Sequence, residues 1–271
     1  MDSPHPLAVA LSGSSDAALR TEAEACADRW GLPLLLRMPK APLRGLLVQS
    51  RVLVVFGENA VSLWDGLGHV AGGPGLAALR LKEIAKGRAE DPLQRIGELA
   101  PGDSVLDATL GFAQDARVAA RLVGTGGSVL GVESSLPLAV LADASLRREG
   151  STIEVRHGES IEVLRGLPDA SVEVVLFDPM FGRALAAQPG FEVLRRLANP
   201  APLTADALAE ARRVARRAVL VKAARYTPML RNLGLRPEHA SRSAPVVWAR
   251  VPAPAAPRRP ETGEELFSEK R

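Results

Sequence analysis

Ser104–Glu133 reads SVLDATLGFAQDARVAARLVGTGGSVLGVE: an apolar run ending in aspartate, a turn holding one glycine, a helical stretch, and a second apolar run ending in glutamate. Apolar runs without strict alternation are what a strand covered on both faces requires. "SVLDATLG" is a strand and its loop, Ala113–Val123 a helix and "GSVLGVE" the next strand. Strand, helix and strand in one short span predict a βαβ unit with parallel strands and a right-handed crossover.

The alternation repeats downstream. Leu136–Arg148 is helical, "TIEVRHG" extended, Ser160–Gly166 a short helix, "VEVVLFD" extended, Thr204–Arg216 helical and "RAVLVKA" extended, while "PVVWARV" (Pro245–Val251) closes the series as an edge strand. The fold class is therefore α/β: a Rossmann-like, mostly parallel, doubly wound sheet over residues 91–252. Residues 253–271 are Pro/Ala-rich and then charged, too poor in apolar side chains to order themselves, and are expected to form a disordered tail.

Upstream, residues 1–70 predict a small N-terminal α/β subdomain. "LAVAL", "LPLLL", "GLLVQ" and "RVLVVFG" are short apolar runs, and Asp16–Trp30 is helical with Ala18, Leu19, Ala23, Cys26 and Trp30 inward. Residues 71–90 are expected to be a Gly-rich hinge, drawn from "GLGHVAGGPG" (Gly66–Gly75), followed by the helix "LAALRLKEIAKG". Asp91–Pro92 then starts a further short helix.

The chain has 271 residues, 46% of them hydrophobic, which is length enough for one large domain with a companion. No run of eighteen apolar residues occurs and the start lacks the pattern of a signal peptide, so the expectation is a soluble, cytoplasmic protein with no membrane partner. The single cysteine, Cys26, excludes an internal disulfide framework and any Cys-rich zinc site. His5, His69, His157 and His239 show no ligand spacing, so no metal is expected. The net charge is +3, and all but five of the 34 basic residues are arginines. Arginine suits phosphate and stacks on bases, which permits an RNA partner. A biased composition accounts for the same numbers.

In an open α/β sheet ligands bind at the carboxyl ends of the strands. Here those ends carry Asp107, then Gly111, Gln114 and Asp115; Glu133, then Ser134; Glu159 and Ser160 after the third strand; and Asp178 after the fourth. An acid in the place of Glu133 can accept both hydroxyls of an adenosine ribose. A dinucleotide site would need G-x-G-x-x-G, and "DATLGFAQDA" has one glycine. A single-glycine turn flanked by carboxylates suits adenosine joined to a positively charged amino-acid portion, which describes S-adenosylmethionine.

"VEVVLFDPMF" (Val172–Phe181) adds the second half of the chemistry. Pro179 ends strand pairing and turns the chain outward. An acceptor at Asp178 beside the aromatic ring of Phe181 is suited to hold a planar base, with an exocyclic amine hydrogen-bonded and its lone pair aimed at a methyl carbon. A capped strand end with a core phenylalanine is the alternative.

"VLDATLGFAQDA", "VLGVESS", "HGES", "VVLFDPMF" and "VLVKAARY" together resemble, in order, the blocks of class I S-adenosylmethionine-dependent methyltransferases. The chain is most similar to the ribosomal RNA small subunit methyltransferase J family, whose members methylate the exocyclic N2 of a guanosine in 16S rRNA. The resemblance spans roughly Val70–Tyr226. It implies that Gln114, Asp115, Glu133, Ser134, Glu159, Ser160 and Asp178 touch the cofactor, with Asp107 and Gly111 added by the motif logic. It also implies that Asp178, Pro179, Met180 and Phe181 face the target amine, and that Lys222 stands near RNA phosphate. The chain departs from the family at Gln114, where arginine is usual, and at "ALRLKEIAKGRAED". That segment keeps Arg80, Lys82, Lys86 and Arg88 of a more basic, glycine-rich stretch. The expected function is methyl transfer to a nucleobase amine in structured RNA. A small-molecule or protein amine acceptor, and a non-catalytic RNA- or protein-binding role, stay open as alternatives.

Overall fold

The computed structural model of the protein describes residues 5–13, 16–38, 41–88, 90–179, 191–238 and 245–254. Its strands are β1 (Ala8–Leu11), β2 (Leu34–Leu35), β3 (Leu53–Phe56), β4 (Val61–Trp64), β5 (His69–Ala71), β6 (Ser104–Asp107), β7 (Ser128–Glu133), β8 (Glu154–His157), β9 (Val172–Phe177), β10 (Ala215–Ala224) and β11 (Val246–Pro252). The helices are α1 (Ala17–Trp30), α2 (Gly75–Ala85), α3 (Pro92–Arg95), α4 (Gln114–Val123), α5 (Leu136–Arg148), α6 (Ser160–Arg165), α7 (Phe191–Leu197), α8 (Ala205–Val214) and α9 (Met229–Asn232).

The large sheet has six strands in the order β11-β10-β9-β6-β7-β8. Every pairing is parallel except β10 with β11, where Lys222 lies opposite Trp248. Strand order reverses beside β6, the position at which an open sheet leaves a crevice at its carboxyl rim. One face packs Leu93, Val105, Ala116, Val118, Leu146 and Leu220, and the other Leu106, Leu164, Val175, Phe177, Ala211 and Val221. Because both faces are covered, β9 is apolar beyond Glu173 at its start, and Val174–Phe177 are all buried. The helix expected over Thr204–Arg216 starts on time, with Thr204 Oγ1 capping Ala207 N at 3.1 Å. It stops at Val214, because Ala215 is already in β10.

A second sheet, ordered β2-β1-β3-β4-β5, is built from the first seventy-one residues. α1 starts where Asp16 accepts from Ala18 N and ends where Gly31 turns left-handed at φ 60°. The inner face of this sheet and α1 pack against α5, whose Leu138–Leu146 are all buried, so α5 is a wall common to both sheets. At that junction buried Asp143 accepts from Trp30 Nε1 at 2.9 Å and pairs with Arg29 and Arg147.

Three local readings change. Residues around "GLLVQ" form a 3-10 helix, Leu43–Val48, rather than an extended run. The start of the expected hinge is a strand: β5 pairs antiparallel with β4, across a turn in which Asp65 Oδ1 accepts from Leu67 N and Gly68 N. α2 packs on α4 within the larger core instead of linking two units, since Gln114 Oε1 accepts from Ala77 N at 2.8 Å and Ala77 is buried. The tail beyond 254, His239, Met180 and Phe181 lie outside the described residues. Among the described residues no helix is long and apolar enough to cross a membrane.

Candidate functional site

The carboxyl rim of the large sheet opens into a cavity of about 890 Å³, a size ordinary for a small-molecule site. Asp107, Gly111, Gln114, Asp115, Glu133, Ser134, Glu159, Ser160, Asp178, Pro179, Lys222 and Arg80 all line it. Lys82, Lys86 and Arg88 do not; they stand exposed along α2 and the turn after it.

The loop after β6 is fixed by its neighbours. Thr109 N donates to Asp107 Oδ1 at 3.2 Å, and Gly111 N donates to Glu133 Oε2 at 2.8 Å. Glu133 Oε1 accepts from Ser135 N at 2.8 Å, so one carboxylate joins the ends of β6 and β7 to the start of α5. Thr109 Oγ1 accepts from Asp178 N at 2.6 Å, which ties the same loop to the end of β9. Gly111 sits at φ 51° and Ala113 at φ 57°. The left-handed conformation is natural for the glycine and costs about 1–2 kcal/mol for the alanine.

Charge is concentrated on one side of the cavity. Arg80 grips Asp91 with Nε and Nη2, each at 2.8 Å, and its Nη1 bonds Asp115. Lys222 Nζ then donates to Asp115 Oδ2 at 2.9 Å and to Asp178 Oδ2 at 2.6 Å. The chain Asp91–Arg80–Asp115–Lys222–Asp178 alternates in sign and holds three carboxylates against two cations. Lys222, expected near RNA phosphate, is thus spent on two buried-side carboxylates. Arg80, grouped in sequence with phosphate contacts, is likewise turned inward.

The titration behaviour follows first from burial and then from where the two cations sit. Burial, reinforced by the charge of Asp115, pushes Asp107 up to about 8, so it is mostly protonated at neutral pH. Burial also raises Glu133, against the hydrogen bonds of its three backbone donors. Asp178 is raised by burial and opposed by Lys222. For Asp115 burial acts upward too, but Lys222 and Arg80 outweigh it and hold the group below the usual carboxylate range. Lys222 and Arg80 are both raised: burial pulls them down, and their carboxylate partners more than offset it.

The remaining wall is apolar, with Val70, Leu110, Phe112, Leu138, Ile161 and Leu194 among its residues. Sequence reasoning missed Asp91, Thr109, Asn199 and Trp248. Asp91 and Thr109 sat in quoted stretches but looked like a helix cap and a loop residue. Asn199 donates to Glu159 Oε1 at 3.3 Å, and Trp248 has its ring 5.5 Å from Lys222 Nζ. Trp248 reaches the site only through the antiparallel register of β11, for which a lone sequence carries no signal.

A family model described as "Putative SAM-dependent methyltransferase" matches residues 76–244. Among curated proteins the chain is 35% identical over 200 residues to the uncharacterized protein YpiP of Bacillus subtilis, across 68% of this chain and 76% of that one. It is 29% identical over 164 residues to the ribosomal RNA small subunit methyltransferase J of Alteromonas mediterranea, across 57% of this chain and 61% of that one. Among solved structures it resembles the SAM-dependent methyltransferase NGO1261 of Neisseria gonorrhoeae, with a TM-score of 0.59 and 19% identity over 92% of this chain and 97% of the other. The chain belongs to the SAM-dependent methyltransferase family, has its Rossmann-like fold, and uses S-adenosylmethionine.

Proposed function

We propose that this methyltransferase acts on an exocyclic amine of a nucleobase in structured RNA, guanine N2 of small-subunit rRNA being the first candidate. The observation that carries the reading is Asp178: a carboxylate at the end of β9, its side chain 33% exposed, lining the cavity and held by Lys222.

The donor set fits the cofactor. Glu133 offers carboxylate oxygens at the place where a ribose would lie, beside the apolar surface of Leu110, Phe112 and Ile161 for an adenine ring. The excess of carboxylate over cation along Asp91, Asp115 and Asp178 suits a ligand bearing a sulfonium and an ammonium. Bound there, S-adenosylmethionine supplies a methyl carbon already activated by its sulfonium. Asp178 accepts an N–H of the target amine and orients the nitrogen lone pair; as the N–C bond formed and the methyl–sulfur bond broke, leaving the neutral thioether of S-adenosylhomocysteine, Asp178 would take the amine proton. Pro179 ends strand pairing after β9, and Met180 and Phe181, which follow it in sequence, are the further proposed contacts of the acceptor.

The similarity to the Alteromonas protein, whose name specifies small-subunit rRNA, supports RNA as the substrate class. Lys82, Lys86 and Arg88, exposed along α2 and the turn after it, are the proposed phosphate contacts, and binding through them weakens with salt. A base reaches the cavity by leaving its stack.

The test is transfer of labelled methyl from S-adenosylmethionine to small subunits or 16S rRNA from cells lacking the gene. The expected product is N2-methylguanosine in nuclease digests. Label that enters a small amine or a protein, and never rRNA, would reject the RNA reading.

A further inference from the structure

Lys222 has no role yet beyond charge neutralisation, although its surroundings are unusually well defined. It projects from β10, between β9 and β11, with its side chain 19% exposed. Its ammonium touches the carboxylates of α4 and of the end of β9 at once, over the face of Trp248. We infer that Lys222 is a positioning residue for methyl transfer: by bridging Asp115 and Asp178 it orients the acceptor carboxylate and keeps it ionised. This deepens the proposed function and rests on its assignment of Asp178 to the target amine.

The physical case has two parts. A carboxylate can take a hydrogen bond from an amine and receive its proton only while it is ionised. Around Asp178 the environment works against ionisation: the cavity walls crowd out solvent first, although a third of the side chain faces the opening, and the negative charge of Asp115 adds to this. The groups facing it are Lys222 from β10, Asp115 from α4, Arg80 from α2 and Asp107 from the end of β6. Of these only Lys222 and Arg80 are cationic, and Arg80 bonds Asp91 and Asp115 rather than Asp178. Lys222 is therefore the contact that keeps the acid charged. It also fixes geometry, since Oδ2 is held from a strand side chain while the Asp178 amide is held by Thr109.

The bridge joins the two halves of the site. Asp115 opens α4 on the cofactor side and Asp178 ends β9 on the acceptor side. A methionine in place of Lys222 keeps the length of the side chain but leaves two neighbouring carboxylates without their shared cation. One of them then takes up a proton.

The experiment compares the full-length wild-type chain with Lys222→Met and Lys222→Arg. Aspartate carboxyl carbons are labelled with 13C and titrated by NMR without RNA or cofactor, and Asp178→Asn assigns the resonance. In Lys222→Met the Asp178 midpoint rises by about 1–3 units, and Lys222→Arg restores it to near the wild-type value. In the methyl-transfer assay Lys222→Met loses kcat more than tenfold at pH 7, and the acid limb of kcat moves to higher pH. The KM for the acceptor changes less than threefold, a pattern that general loss of packing would not produce. An unmoved Asp178 midpoint in Lys222→Met overturns the inference. Should that variant not fold, Lys222→Gln, which keeps a hydrogen-bond donor but not the charge, is titrated in its place: a raised Asp178 midpoint supports the inference, and an unmoved one overturns it. Because the titration uses neither substrate, a wild-type protein that never methylates RNA would sink the acceptor assignment separately.

Discussion

The two ends of the large sheet carry the same kinds of side chain and treat them in opposite ways. At the amino rim Asp103 binds Arg217 through two hydrogen bonds of 2.7 and 3.0 Å, and these hold it below the usual carboxylate range. Glu173, at the same rim, accepts from Ser104 N at 2.8 Å, Ser104 Oγ and Arg216; burial opposes ionisation there, yet these donors prevail and keep the group at about 2. At the carboxyl rim Asp107, Glu133 and Asp178 are all raised, burial coming first in each case, while Asp115 is held down by Lys222 and Arg80. The amino rim supplies a donor for every carboxylate and so staples strands together. The carboxyl rim leaves its acids short of cations around a cavity, an arrangement that stabilises a cationic ligand rather than the fold.

Substitutions should separate the two ends. Asp178→Ala is expected to lower kcat by about 10²–10⁴-fold, with cofactor affinity reduced far less, as read by steady-state kinetics and calorimetry. Were Glu173→Gln at the amino rim to lower kcat equally, the division between the ends would collapse. Glu133→Ala should weaken S-adenosylmethionine binding by about 1–3 kcal/mol, through ribose hydroxyls and backbone donors left unpaired, while the chain still folds.

At the other end the expected loss is stability. Glu173→Gln should cost about 1–2 kcal/mol at pH 7 in chemical denaturation, with turnover intact. The folded state holds this acid at about 2, below its ordinary value of 4.5. Its contribution is therefore present above pH 4.5 and lost as the pH falls toward 2; the variant should lack that part of the acid limb.

Asp107 gives the smallest effect and the opposite sign. Its folded value of about 8 lies above the 3.8 of the free group, so its ionisation works against folding as the pH rises through that window. A cationic ligand nearby lowers it again. Cofactor binding near pH 7 should therefore release up to about one proton, and affinity should rise with pH up to about 8. Calorimetry in buffers of different ionisation heat reads this directly; an identical apparent enthalpy in all of them would show that Asp107 does not sense the ligand.

The large sheet was legible because its strands are buried on both faces and its helices are periodic. Asp107, Glu133 and Asp178 stood out because an acid that ends an apolar strand has to go somewhere. The small sheet was half legible. Val61–Trp64 and His69–Ala71 are too short to show a period, and the glycines between them read as a hinge, whereas Asp65 and Gly66 make a tight turn of a meander. The ion chain was not legible at all as a chain. Arg80 and Lys222 looked like surface cations, and their inward turn depends on α2 packing on α4 and on Trp248 lying opposite Lys222, both long-range events. The part of the site that sequence spacing could reveal was its set of strand-end acids; their shared cations came only with the fold.

The central claim is best tested by a crystal structure of the full chain with S-adenosylhomocysteine. The account predicts ribose hydroxyls on Glu133, the amino-acid portion toward Asp107 and Asp115, and the sulfur directed at the space beside Asp178. A ligand bound elsewhere, or one whose sulfur faces away from Asp178, would contradict it.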